Sequence, residues 1–375
     1  MVILVNIILV VIIGLIGIYM YHFIRRILNL LFKGKNSKYK RIINILLTVI
    51  IMIPTLSMST MWVLLVILHV LVISLIMDLI HFITCKVSKK KKEGFEKLYN
   101  SGVIPIIISS IILSYGYINM HTVVKTNYTM YTDKAIRDNG YKVAFISDLH
   151  YGVSMNGEEL KEKCSRIEKE KADFIILGGD IVDESTTKEG IKEAFEILSQ
   201  IKSTYGVFYV YGNHDRASYS VNANFTEEEL SKVIEESGIT ILKDEIFDIN
   251  NEITITGRGD KSFFNQSSRK SAEELVEDTI LDKNKYNILI DHQPCEFGEV
   301  SSSGYDVMMS GHTHAGQIWP GGMFIKYVMN DTFDYGYIKK DNLDVIVSSG
   351  IAGWKFPIRT EEHSEYVILD ILPNK

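Results

Sequence analysis

Apolar residues follow two different rhythms along this chain. In the first third they form long unbroken runs: residues 2–24 carry no charge, residues 42–84 carry only Asp78, and residues 102–119 again carry none. Crossing about 30 Å of hydrocarbon as a helix takes roughly 20 apolar residues. The middle tract is long enough for two crossings, with a turn expected at Ser57-Met58-Ser59-Thr60, just past the helix breaker Pro54. The pattern predicts four transmembrane helices, at about 2–24, 42–57, 61–84 and 102–119, as an anchor over residues 1–120.

Over residues 121–375 the rhythm shortens. Short β-type runs at 142–147, 173–178, 206–211, 252–257, 286–291, 305–310, 343–348 and 365–371 predict strands. Apolar residues at three- and four-residue spacing predict helices over 157–171, 187–203, 226–237 and 270–281, with Thr226 and Glu229 placed for a capping box. Helices alternating with strands early, then denser strands, imply a layered α/β fold with at least partly parallel pairing.

Charge separates the two parts further. Residues 1–120 hold thirteen Lys and Arg against Asp78, Glu93 and Glu96, a net of +10, which leaves −16 of the chain's −6 to the remainder. The basic residues sit in two links: Arg25, Arg26, Lys33, Lys35, Lys38, Lys40 and Arg41 after the first span, and Lys86, Lys89–Lys92 and Lys97 after the third. Lys and Arg beside spans stay on the cytoplasmic side. The expected topology therefore puts the N-terminus and everything after residue 120 outside, with the Lys89–Lys92 run against anionic membrane lipids. Asp78 and His81, one turn apart in the third span, form either a structural brace near the interface or part of a proton or ion path. Three scattered cysteines exclude a disulfide framework, and no CxxC pair offers a thiolate zinc knuckle. A domain at −16 repels a polyanion, so no nucleic-acid partner is expected.

The chemistry lies where the strands stop. The runs end in Asp148-Leu149-His150, in Gly179-Asp180-Ile181-Val182-Asp183, in Gly212-Asn213-His214-Asp215, in Asp291-His292 and in Gly311-His312-Thr313-His314. Loops leaving the carboxyl ends of parallel strands gather along one edge of a sheet. Five such loops delivering Asp, His and Asn match the donor chemistry of first-row divalent metals.

The series Asp-x-His, Gly-Asp-x-x-Asp, Gly-Asn-His-Asp, His and Gly-His-x-His resembles the calcineurin-like metallophosphoesterase superfamily, over roughly residues 140–370. Ser147-Asp-Leu-His150 together with Gly311-His-Thr-His-Ala-Gly-Gln317 resembles its membrane-associated bacterial branch, which includes relatives of UDP-2,3-diacylglucosamine pyrophosphohydrolases. The resemblance implies an αββα sandwich behind the four transmembrane helices, with a dinuclear site at one edge. It implies one metal on Asp148, His150, Asp180 and His314, and a second on Asp180, Asn213, His292 and His312, with Asp180 shared. The cofactors would be two divalent ions (Mn, Fe or Zn, with Mn favoured), since an Asn amide oxygen does not suit a thiolate-loving metal.

By the same likeness the activity is phosphoester hydrolysis. Hydroxide bridging the cations would attack phosphorus, His214 would protonate the leaving group, and Asp183 would orient His214. The location points to a lipid-linked or cell-envelope phosphoester. The alternative is a membrane sensor that binds a phosphorylated envelope ligand. Arg216 is either a phosphate contact or a surface residue; Arg258, Asp260 and Arg359 are candidates for shaping the pocket. Trp354 and Phe356 are expected in the core rather than against a substrate tail, and Cys295 is expected to be a buried small residue rather than a ligand.

Overall fold

The computed structural model describes residues 2–32, 37–56, 61–87, 93–216, 220, 223–261, 269–279, 281–329 and 332–374. The turn expected at 57–60 and the run Lys89–Lys92 lie outside the described residues. The chain forms two compact units, Met1–Tyr115 and Gly116–Lys375.

The first unit is helical, with α1 Val2–Leu31, α2 Ser37–Met52, α3 Met61–Val87, α4 Glu93–Ser101 and the beginning of α5 Val103–His121. Among the described residues, three helices are long and apolar enough to cross a membrane: α1 over Val10–Leu31, α3 over Trp62–Val87, and α5. The expected span at 42–57 is the departure. Its helix, α2, has 16 residues, a rise of only about 24 Å. Lys38, Lys40 and Arg41 take up its first turns, and beyond Met52 the chain tightens into a 3-10 turn at Ile53–Leu56 around Pro54. Met20, Phe23, Ile24 and Leu28 of α1 pack with Ile67 of α3 as this unit's core. Asp78 is ion-paired with Arg26 and accepts hydrogen bonds from the Tyr19 and Tyr99 hydroxyls, partners that fit a structural brace.

The second unit is α/β. Its strands are β1 Val124–Thr132, β2 Tyr141–Ile146, β3 Phe174–Leu177, β4 Val207–Tyr209, β5 Thr240–Ile241, β6 Glu245–Ile249, β7 Ile253–Gly257, β8 Tyr286–Ile290, β9 Val307–Ser310, β10 Gly336–Lys340, β11 Leu343–Val347 and β12 Glu365–Pro373. They form two six-stranded mixed sheets, ordered β1-β12-β2-β3-β4-β5 and β10-β11-β9-β8-β7-β6. Within them β2 to β5 run parallel, as do β7, β8, β9 and β11. Phe145, Phe174, Ile176 and Phe208 of the first sheet meet Ile255, Ile288, Ile290 and Met309 of the second in one buried layer. The outer face of the first sheet is covered by α6 Gly157–Glu168, α7 Lys188–Ser199 and α8 Glu227–Glu236, through Leu160, Phe195 and Leu230 among others. On the second sheet, Ala272 of α9 Ala272–Thr279 and Phe297 and Val300 of α10 Phe297–Ser303 pack over Leu289, Met308 and Val345. A last short helix, α11, spans Gly321–Val328. Thr226 and Glu229 close the expected capping box at the start of α8.

The eight strands expected from the sequence are the eight interior ones, and β1, β5, β6 and β10, which were not expected, are the four sheet edges. An edge strand keeps one side toward solvent, and β1 accordingly alternates exposed and half-buried residues over its first six positions. It shows no apolar run to the eye, and only pairing with β12 makes it a strand.

Candidate metal centre

The five chemistry-bearing loops leave the carboxyl ends of β2, β3, β4, β8 and β9, so parallel pairing within each sheet delivers them to one edge of the sandwich. There they form two groups whose ligand atoms lie within 4.8 Å of one another: Asp148, His150 and His314, and Asp180, His292 and His312. Asp180 stands between the groups, with Oδ2 3.1 Å from His292 Nε2 and 3.7 Å from His150 Nε2. His150 Nε2 and His314 Nε2 are 3.3 Å apart, and His314 Nε2 lies 3.5 Å from Asp148 Oδ1. Asn213 joins the second group through its Oδ1, 2.8 Å from His312 Nδ1. All seven expected ligands are thus drawn together.

Their backbone is held in an uncommon form. Asp148, His150, Asp180, His312 and His314 all have φ between 41° and 74°, the left-handed region. Such a conformation costs of order 1–3 kcal/mol per non-glycine residue and persists only where the surroundings impose it. Its concentration in five of the seven converging residues marks this edge as a site rather than a chance meeting of loops.

The residues present suit divalent cations. Asp148 Oδ2 is buried with no hydrogen-bond partner and His292 Nε2 faces only the Asp180 carboxylate, an arrangement that a metal ion would satisfy. Burial presses the imidazoles toward the neutral form that a metal requires: His150 is lowered to about 3, His312 to about 4, and His314 well below its ordinary value. Burial also pushes Asp148 up to about 6, with the neighbouring Asp180 adding to the rise. His292 goes the other way, because its pairing with Asp180 outweighs its burial; the same pairing holds Asp180 well below the usual carboxylate range against its own burial. A cation at His292 Nε2 would take the place of that proton. The His292 ring is oriented from behind, since Nδ1 lies 2.8 Å from the Gly178 carbonyl and donates to it.

The glycines leave room for these groups. A Cβ on Gly311 would sit 2.2 Å from Asp148 Oδ2, and one on Gly212 would sit 2.2 Å from Asp180 Oδ1. Gly311→Ala is therefore expected to displace Asp148 and weaken metal binding about 10- to 100-fold, the usual cost of disturbing a ligand's support. Calorimetric metal titration of the purified chain checks this, and an unchanged affinity would show that Asp148 is not held as described.

Several residues support the ligands from behind, and of these Asp215 and Arg269 carried no assigned role in the sequence. Buried Asp215, the last residue of Gly-Asn-His-Asp, accepts from the backbone N–H groups of Asp180 (2.7 Å), Gly212 (2.7 Å) and Val182 (3.0 Å), tying two ligand loops together. Its position at the end of that motif was the available signal. Arg359 is buried and donates to the carbonyls of His314, Ser349 and Ala352. It braces the loop of a ligand and does not shape the pocket wall. Arg258 and Arg269 converge on buried Asp291, next to His292. Asp260 accepts from the Gln293 amide on the other side of that ligand. Gln317 holds the C-terminal loop by donating to the carbonyls of Trp354, Phe356 and Ile358.

A cleft of about 720 Å³ opens over the two groups, with Asp180, Asn213, His214, His312, His314 and Trp354 among its walls. Three expectations change here. The carboxylate bonded to His214 Nδ1 is that of Glu184, at 3.0 and 3.2 Å, not that of Asp183. Asp183 instead accepts from the Ser185 backbone and hydroxyl, and its other oxygen lies 3.8 Å from His150 Nδ1. One step along the loop reverses which carboxylate faces the histidine. Glu184 also lifts His214 above its ordinary value against the effect of burial. Trp354 is 39% exposed on the cleft wall, its ring 5.2 Å from that of His214, and Phe356 is half-buried, so neither belongs to the core. Arg216 pairs with Glu227. Cys295 is buried, 3.6 Å from Lys261 Nζ, and belongs to neither metal-type group.

The chain is similar to known proteins over this unit. Residues 141–316 match the family model for calcineurin-like phosphoesterases. An uncharacterized metallophosphoesterase of Helicobacter pylori is 31% identical over 249 residues, 65% of this chain and 62% of its own length. One from Aquifex aeolicus is 29% identical over 269 residues, 71% of this chain and 98% of its own. A Danio rerio transmembrane protein with metallophosphoesterase domain is 24% identical over 278 residues, 71% of this chain and 62% of its own. The chain thus spans less than two thirds of the Helicobacter and Danio relatives. Residues 141–316, whose strand-end loops close on two metal-type groups, are thus similar to the calcineurin-like phosphoesterases.

Proposed function

We propose that the protein is a membrane-anchored, dinuclear metal-dependent phosphoester hydrolase whose active domain faces away from the cytoplasm. The observation that carries the reading is the pair of metal-type groups joined by Asp180 on the wall of a cleft that also presents His214. A bound cation pair supplies Lewis acidity and an activated water at neutral pH. The nitrogen and oxygen donors, with no thiolate among them, suit Mn²⁺, Fe or Zn²⁺.

The chain's own residues supply the rest. His214 stands at the cleft as proton donor to the leaving oxygen, with Glu184 setting its ring plane. A binding module would not need that donor, which argues against the sensor reading. Trp354 on the cleft wall offers an apolar face, supporting a lipid-linked substrate of the kind that the diacylglucosamine-type branch cleaves.

Orientation depends on α2, since four crossings return the domain to the side of the N-terminus and three do not. The 16 residues of α2 continue into the four of the 3-10 turn; the uncharged stretch from Ile42 to Leu56 rises about 24 Å, so a fourth crossing rests on Lys38, Lys40 and Arg41 reaching back to the interface. The test of the function is turnover by the full chain in detergent with Mn²⁺, offered an aryl phosphate monoester, a bis-aryl diester and a lipid phosphate in mixed micelles. Hydrolysis that is lost on chelation and restored by Mn²⁺ is expected. A chain that binds metal yet cleaves none of the three would overturn the reading.

A further inference from the structure

The N-terminal unit carries a metal-type cluster of its own. His81 and Cys85 stand four residues apart on α3, and so project from one helix face. Glu96, on α4, meets them there. His81 Nε2 is 2.9 Å from Glu96 Oε1, Cys85 Sγ is 3.6 Å from His81 Nε2, and Cys85 Sγ is 3.9 Å from Glu96 Oε1. The imidazole is held in plane by two rings of α4: Tyr99 stacks at 3.9 Å with an 8° tilt, and Phe95 at 5.9 Å with 14°.

We propose that His81, Cys85 and Glu96 form a separate binding site for a single zinc-class divalent cation, with the fourth position left to water or a small anion. The spacing is what supports this. Tetrahedral zinc holds nitrogen and oxygen at about 2.0–2.1 Å and sulfur at about 2.3 Å, so ligand-to-ligand edges are about 3.3 Å for nitrogen to oxygen and about 3.6 Å to sulfur. The three measured edges lie within a few tenths of an ångström of those values, and the donors come from two helices whose rings already fix the imidazole. Helix spacing brings Cys85 beside His81, and Glu96 from α4 closes the triangle with Sγ within 4 Å of both partners. The His81 and Glu96 side chains are 21% and 26% exposed and Cys85 is exposed, which leaves a path for a cation to enter.

The donor set also separates this site from the one at the sheet edge. A thiolate selects zinc, cobalt or cadmium over manganese, whereas the seven residues of the sheet-edge site offer only nitrogen and oxygen. The cluster should therefore disfavour manganese, which the sheet-edge site accepts. An occupied cluster would also pin α4 to the end of α3.

Cobalt(II) distinguishes the sites, because only a thiolate ligand produces the near-ultraviolet sulfur-to-cobalt charge-transfer band. The full chain in detergent, titrated with Co²⁺, is expected to develop that band with a stoichiometry of one. Cys85→Ser and His81→Ala should abolish it while leaving the visible absorption of cobalt bound at the sheet edge, which also shows that each variant is folded. Asp180→Asn should leave the band intact while reducing the visible absorption of cobalt at the sheet edge. No band in the wild-type chain while visible absorption shows cobalt bound elsewhere would overturn the proposal. So would a band that survives Cys85→Ser, since it would have to come from buried Cys164 or Cys295.

Discussion

Asp180→Asn is expected to abolish phosphoester hydrolysis, lowering turnover about 10³-fold or more, because cation stabilisation of the transition state is worth several kcal/mol and each 1.4 kcal/mol is a factor of ten. Asp180 Oδ2 lies within 3.7 Å of a histidine from each group, and its Oδ1 accepts from the His214 backbone N–H at 2.8 Å. The amide keeps the shape but loses the charge, and it offers one oxygen where the carboxylate offers two. Manganese content measured on the purified variant, which reads the sheet-edge site alone, should fall from two ions per chain toward one. His312→Ala should also abolish turnover, but by removing a single ligand from the second group only. A variant at Asp180 that kept both ions and wild-type turnover would refute the shared-ligand arrangement.

His214→Ala is expected to reduce turnover roughly 10²- to 10⁴-fold, the usual worth of a general acid, with metal content near wild type. The substitution removes the ring from the cleft while retaining the backbone N–H that donates to Asp180. The loss should depend on the leaving group. An alkyl phosphate, whose departing oxygen needs a proton, should suffer far more than a nitrophenyl phosphate, whose departing oxygen does not. Glu184→Gln should show the same dependence in weaker form, since Glu184 holds the ring at Nδ1, and Asp183→Asn should not. Equal losses for good and poor leaving groups would show that His214 binds phosphate rather than delivering a proton.

Much of the protein was legible in its sequence because the relevant signals are local. A span of uncharged residues, a β-type run and the residues that end it can each be read without a partner. The interior strands β2, β3, β4, β7, β8, β9, β11 and β12 all announce themselves in this way, since a strand with neighbours on both sides has to be apolar almost throughout. The ligand loops follow from the same logic, because each begins where a run stops. The edge strands and α2 were harder for one shared reason: their identity depends on what they meet. β1 is polar at alternate positions and becomes a strand by pairing with β12. The membrane role of α2 depends on how the 16-residue helix and its 3-10 continuation are accommodated.

The sequence by itself determined the two-part construction, the layered α/β class and the set of side chains at the strand ends, since composition and hydrophobic period are properties of contiguous residues. Only the tertiary structure decided which carboxylate serves His214, that Trp354 faces the cleft, and that Arg359 and Asp215 act as braces. Those outcomes rest on directions and distances among residues far apart in the chain. Asp183 and Glu184 differ by one position, and only the left-handed turns and the packing of neighbouring loops settle which of them points at the histidine.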